Sequence, residues 1–249
     1  LMGFVGEHYG PGRMILAAAG AVDHAAIVAA AEQIFGGLRG AAAPPIQPAL
    51  WKGRERREIK ALEQVHFAMG FEGPSVRDAA FYPSQVYTTA LGGGMSSRLF
   101  QKIREERGLC YSIFAQAGAF DDAGMITIYA GTSAEEVGEL CNLTIDELKR
   151  AADDMSEAEV ARAKAQMKAG LLMGLESPSG RAERMARYIA IWGRVPDLAE
   201  TIAQIEAVNR AAVAEFAAGL RAHSSTALAL YGPVAAAPGL ADLQGRLVA

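Results

Sequence analysis

Residues 91–112 read LGGGMSSRLFQKIREERGLCYS, and the reading of this block decides the fold. Three consecutive glycines, Gly92, Gly93 and Gly94, remove every Cβ and open positive φ, so the chain can turn sharply there or admit a second backbone at close range. Ser96 or Ser97 can cap the helix that follows. That helix is expected to run from Ser97 to Arg107 and to stop at Gly108. It would carry Leu99, Phe100 and Ile103 on one face, and Arg98, Gln101, Lys102, Arg104, Glu105 and Glu106 on the other. A phosphate-binding loop is excluded, because no Gly-Lys-Ser/Thr follows the glycines and no strand directly precedes them. By itself the block is a glycine joint leading into an amphipathic helix.

Downstream, Cys110–Phe120 and Met125–Ala130 read as strands joined by turn residues Asp121 to Gly124. Residues 134–220 are almost continuously helical in pattern, broken at Met155-Ser156, at Ser177-Pro178-Ser179-Gly180, at Gly193 and at Pro196. Ser156 and Glu159 form a capping box. A last strand is expected at Thr226–Tyr231. Upstream, Asp78–Leu91 reads as a helix and Arg57–Phe71 as a strand, with Ile59, Leu62, Val65, Phe67 and Met69 as its apolar set. A proline-rich stretch around Pro44, Pro45 and Pro48 marks a linker, taken as residues 39–55. Before it, Met14–Val22 reads as a buried strand, and Asp23 caps a helix with Ile27, Val28, Ala31, Ile34 and Phe35 at helical spacing. The fold class is therefore α+β: an antiparallel sheet with helices packed on one face. The two ends also echo each other. ILAAAGAV at 15–22 and LALYGPV at 228–234 share a strand, a glycine and a valine at matching offsets, as an internal repeat would.

Composition narrows the function classes. Of 249 residues, 51% are hydrophobic, enough for a large core, and the net charge of −4 is spread along the chain. No basic block suggests nucleic acid and no acidic tail suggests a charged partner. Cys110 and Cys141 lie in apolar company and read as reduced core residues rather than a disulfide framework. No apolar run is long enough for a membrane span, and Leu1–Gly12 lacks the pattern of a signal peptide. A cytoplasmic location is expected, the periplasm being the alternative. The start reads as the interior of a larger protein.

The 91–112 block, together with RREIKALEQVHFAMGFEG at 56–73 and ESPSGRAERMARYIAIWGR at 176–194, resembles the C-terminal domain of the pitrilysin, insulinase and mitochondrial processing peptidase family. YGPGRMILAAAGAVDHAAIVAAAEQIFGGL at 9–38 resembles the end of that family's preceding N-terminal domain. The resemblance implies a zinc endopeptidase built from two homologous halves around a chamber, with residues 1–38 closing the first half and 56–249 forming the second. It places zinc on an inverted H-x-x-E-H motif in the N-terminal half. That motif is absent here: His8, His24, His66 and His223 are too far apart to share a helix face, and no metal ligand is expected in this chain. Two positions carry over. Arg104 and Tyr111 are implied to reach the scissile carbonyl as auxiliary catalytic donors, and Gly92, Gly93, Gly94 and Ser97 to contact substrate. The implied partners are a peptide substrate and the N-terminal half of the same protein or a paired catalytic subunit, with a homodimer possible through the strand at 14–22. The alternative is a non-catalytic scaffold or recognition subunit of a processing-peptidase-like assembly. A small-molecule binding domain is left for a sequence in which the resemblance fails.

Overall fold

Alternation of apolar residues builds the sheet. In β2 (Val65–Gly73) the side chains of Val65, Phe67, Met69 and Phe71 are wholly buried, while His66 and Ala68 between them face outward. The same period-two pattern runs through β3 (Cys110–Ala119), β4 (Gly124–Thr132) and β5 (Thr226–Gly232). With β1 (Glu55–Ile59) they form a five-stranded sheet in the order β1-β5-β2-β4-β3. The computed structural model describes residues 1–38, 47–222 and 225–249. Residues 39–46 of the expected linker, including Pro44 and Pro45, and His223 lie outside the described residues.

Two expectations about the sheet change. The stretch read as one strand is two, β1 and β2, because β5 inserts between them, and residues 60–64 cross over its end. The sheet is antiparallel except for that insertion: β1 runs parallel to β5. Gly232 closes β5 with φ of 120°, and a Cβ there would lie 2.4 Å from the Gln64 carbonyl oxygen of the crossing loop. Only glycine tolerates both the conformation and the contact. Arg57 on β1 secures the loop after β5, donating to the carbonyls of Val234, Ala237 and Pro238 at 3.0–3.1 Å.

Helices cover one face of the sheet. α3 (Phe81–Gly92), α4 (Val137–Asp154), α8 (Arg210–Ala222) and α9 (Leu240–Val248) bury Val86, Leu91, Leu140, Ile145, Val213, Leu243 and Leu247 against it. The capping box at the start of α5 (Glu157–Gly174) is formed, with the Ser156 amide donating to Glu159 at 2.8 Å and the Glu159 amide to Ser156 Oγ at 3.3 Å. α9 is not expected from the sequence, because the Ala-Ala-Ala-Pro-Gly run at 235–239 looks like the start of a tail. Nor is the short α1 (Met2–His8), which buries nothing.

The described residues separate into two compact units, 1–47 with 169–201 and 48–168 with 202–249. The sheet belongs to the second. The first contains α1, α2 (His24–Phe35), capped by Asp23 Oδ1 accepting from the Ala26 amide at 2.8 Å, and α6 (Pro178–Trp192), ended by Gly193 at φ of 67°. α7 (Leu198–Ala207) spans the division. Residues 14–22, expected as a strand, form none: a strand needs a ladder partner, and none pairs with them among the described residues. The echo between the chain's ends is nevertheless physical. Gly20 has φ of 119° against 120° at Gly232, and the Val22 and Val234 amides each donate to the glycine carbonyl two residues back at 2.9 Å.

Candidate functional site

The 91–112 block forms a helix of an unexpected kind. Residues 98–99 begin as α-helix, then Phe100–Glu105 open into a π-helix, with the Glu106 amide donating to the Gln101 carbonyl at 2.9 Å. A π segment is a rare, wide turn that persists only where surrounding contacts hold it, and such turns recur at functional sites. Leu99 and Ile103 anchor it, both wholly buried. Arg98, placed by periodicity on the exposed face, is instead largely enclosed: its guanidinium pairs with Asp154 and, at 2.6 and 2.9 Å, with Glu159. The two carboxylates lie 56 and 61 residues away, beyond the reach of any local pattern.

Gly108 ends the segment at φ of 68° and turns the chain into β3. There the ladder slips. Cys110 pairs with Thr132 and Ser112 with Gly131, leaving Tyr111 as the extra residue of a β-bulge. Bulges re-aim side chains. Here Tyr111 and Ser112 both face outward, and Tyr111 is 79% exposed. The π segment on one side of Gly108 and the bulge on the other bring Arg104 and Tyr111 together. The Arg104 guanidinium carbon lies 4.8 Å from the Tyr111 ring centroid and 4.6 Å from that of Phe100. Its nearest carboxylate oxygen, on Glu105, is 3.8 Å away, too long for a hydrogen bond. The stack therefore presents guanidinium N–H groups and a phenol that hydrogen-bond to no partner among the described residues.

The glycines divide by burial. Gly92 is buried, and a Cβ there would stand 2.3 Å from the Ala115 amide nitrogen, so its role is close packing on β3. Gly93 is exposed, and its carbonyl accepts from Gln166 Nε2 at 2.6 Å. Gly94 is half-buried beside the same glutamine side chain. Ser97, expected to contact substrate, is only 4% exposed, and its hydroxyl donates to the Gly94 carbonyl at 2.5 Å. Gly92 and Ser97 are thus both buried in this chain.

A family model described as "Peptidase M16 inactive domain" matches residues 1–167. The chain belongs to the M16 peptidase family. Curated relatives of this M16 chain include an "uncharacterized zinc protease" of Mycobacterium bovis, 36% identical over 216 residues that make up 84% of this chain and 49% of the relative. Another, from Rickettsia felis, is 35% identical over 210 residues, 83% of this chain and 51% of that one. The M16 chain thus spans about half the length of the curated relatives it matches. Among solved structures, a chain of complex III2 from Candida albicans, with Inz-5 bound, superposes with a TM-score of 0.80. The match covers 91% of this chain and 56% of that one, and at 22% identity the likeness is one of fold.

Among the described residues no group of three or more His, Cys, Asp or Glu side chains could hold a metal ion. His66 on β2 is engaged with Tyr129, Nδ1 to hydroxyl 2.8 Å, and His24 opens α2. His8 lies beside Phe4, ring centroids 4.3 Å apart, and 4.0 Å from Glu7. Cys110 and Cys141 are free and buried, and burial pushes their thiols up to about 11 and about 12. Thiols held protonated are poor nucleophiles and metal ligands. No helix among the described residues is long and apolar enough to cross a membrane.

Proposed function

We propose that this chain is the substrate-clamping C-terminal half of a zinc metalloendopeptidase, working in a chamber whose metal-bearing half lies upstream. The observation that carries the reading is the stack of half-buried Arg104 on exposed Tyr111, two donors that hydrogen-bond to no acceptor among the described residues. Peptide hydrolysis builds negative charge on the carbonyl oxygen, and oriented N–H and O–H donors stabilise that charge. The described residues do not fit a zinc ion, so the metal and its chemistry are assigned to the other half. In this reading Arg104 and Tyr111 donate to the scissile carbonyl, while Gly93 and Gly94 flank the path of the peptide. Residues 1–38 are proposed as the closing segment of the upstream domain, 39–55 as the linker and 56–249 as the C-terminal domain. The matched glycine turns at Gly20 and Gly232 support that division, since two homologous halves would end alike.

The test uses the protein that joins this chain to its metal-bearing half, with a fluorogenic peptide as probe. Arg104→Ala and Tyr111→Phe should each lower kcat roughly ten- to a thousand-fold, the range for losing one transition-state donor, with unchanged melting temperature. Turnover equal to that of the parent would refute the assignment. A scaffold subunit, the rival reading, predicts no peptidase activity and an upstream sequence without an intact H-x-x-E-H.

A further inference from the structure

We infer that Phe100 is a positioning residue for Arg104: its ring fixes the guanidinium while leaving the N–H groups open to substrate. The inference rests on the role proposed for Arg104 and goes one residue beyond it.

The structure holds two arginines of the 91–112 block in opposite ways. Arg98 is gripped by Glu159 through Nε and Nη2, and by Asp154 through Nη1. Carboxylates orient a guanidinium by occupying its donors and neutralising its charge. Arg104 meets no such partner, its nearest carboxylate oxygen being 3.8 Å away on Glu105. A long side chain so placed would sample many rotamers. Aromatic faces solve this differently, because a ring attracts the cation through its face and leaves the in-plane N–H groups unspent. Two rings do so here, Phe100 at 4.6 Å and Tyr111 at 4.8 Å. Tyr111 brings a hydroxyl of its own, whereas Phe100 has no polar atom and can contribute only its face. Nor is Phe100 a core anchor of the π segment. Leu99 and Ile103 fill that role with no exposure, while Phe100 is half-buried. Phe100 and Arg104, four residues apart within the π turn, share one face, while Gly108 and the β-bulge deliver the second ring.

Two readouts test it. On this chain, the Arg104 Nε–Hε resonance should be shifted upfield by ring currents and should move toward the free-arginine position in Phe100→Leu. An unmoved resonance would overturn the inference, whatever the activity. In the protein joined to its metal-bearing half, Phe100→Leu should lower kcat about two- to ten-fold while leaving KM within about two-fold, and Phe100→Tyr should restore kcat. An unchanged kcat in Phe100→Leu, or equal losses in Phe100→Leu and Phe100→Tyr, would also overturn it. If the resonance moves but Arg104→Ala retains full turnover, the clamp reading fails while the stack itself stands.

Discussion

At the scale of single residues, neighbouring carboxylates decide how firmly an arginine is built into the fold. The Arg98–Glu159 pair is structural. Glu159 loses solvation through burial, which raises its pKa, but hydrogen bonds from Arg98 and from the amide and hydroxyl of Ser156 outweigh this and hold the carboxyl at about 2. The unfolded chain would bind that proton near 4.5, so the contribution is present above that value and is lost as pH falls toward 2. Acid titration of unfolding free energy should show a loss of about 1–2 kcal/mol across this window, allowing for solvent screening, and Glu159→Gln should flatten it. Removing the cation takes a shared partner from two carboxylates, leaving Asp154 with Arg150 at 3.4 Å and Glu159 with Ser156. Arg98→Met should cost about 2–3 kcal/mol in chemical denaturation, below the ~3–5 kcal/mol of a fully buried pair. The same substitution at Arg104 should leave stability nearly unchanged, since its ion pair with Glu105 is long, at 3.8 Å, and solvent-exposed.

At the scale of elements, the site is made by two local departures from regular structure and the glycine between them. Gly108 has φ of 68° with open space around its Cβ position. An alanine there meets no clash and incurs only the left-handed penalty, so Gly108→Ala should destabilise by about 1–2 kcal/mol and Gly108→Asn by less. Gly92 is the opposite case. Its φ lies outside the strained region, but an added Cβ would strike the Ala115 backbone at 2.3 Å. Gly92→Ala should therefore cost about 1–3 kcal/mol through overpacking of α3 against β3, and asparagine should be no better tolerated than alanine. Equal responses of the two glycines in thermal melts would contradict this division.

At the scale of the whole molecule, the unit with residues 1–47 leaves apolar surface uncovered. Ile34, Phe35, Val28 and Leu16 are 40–69% exposed, and α2 buries none of its residues, whereas α9, which comes after the matching turn at Gly232, buries Leu243 and Leu247. The proposed upstream half accounts for this: 14–22 would take the place in its sheet that β5 takes in this one, between a parallel and an antiparallel neighbour. Amides of Ile15 to Ala19 should exchange fast in this chain and become protected when the upstream half is supplied. Without that half, an unpaired strand-forming segment favours self-association, so the chain should sediment as a concentration-dependent dimer. A monomer at all concentrations, with unprotected amides in the joined protein, would contradict the division.

The α+β class, the β3–β4 hairpin, the Ser156–Glu159 capping box and the family were all legible from the sequence, because each rests on local periodicity, turn chemistry or a contiguous motif. The contact between residues 104 and 111 was not. The π turn, the bulge at Tyr111 and the enclosure of Arg98 depend on partners tens of residues away, and no hydrophobic period encodes a slip of one residue in a ladder. Insertion of β5 between β1 and β2, which makes one strand pair parallel, is likewise a property of the assembled sheet. Local chemistry writes the elements, whereas the orientation of the Arg98 guanidinium is set only when distant segments close around it.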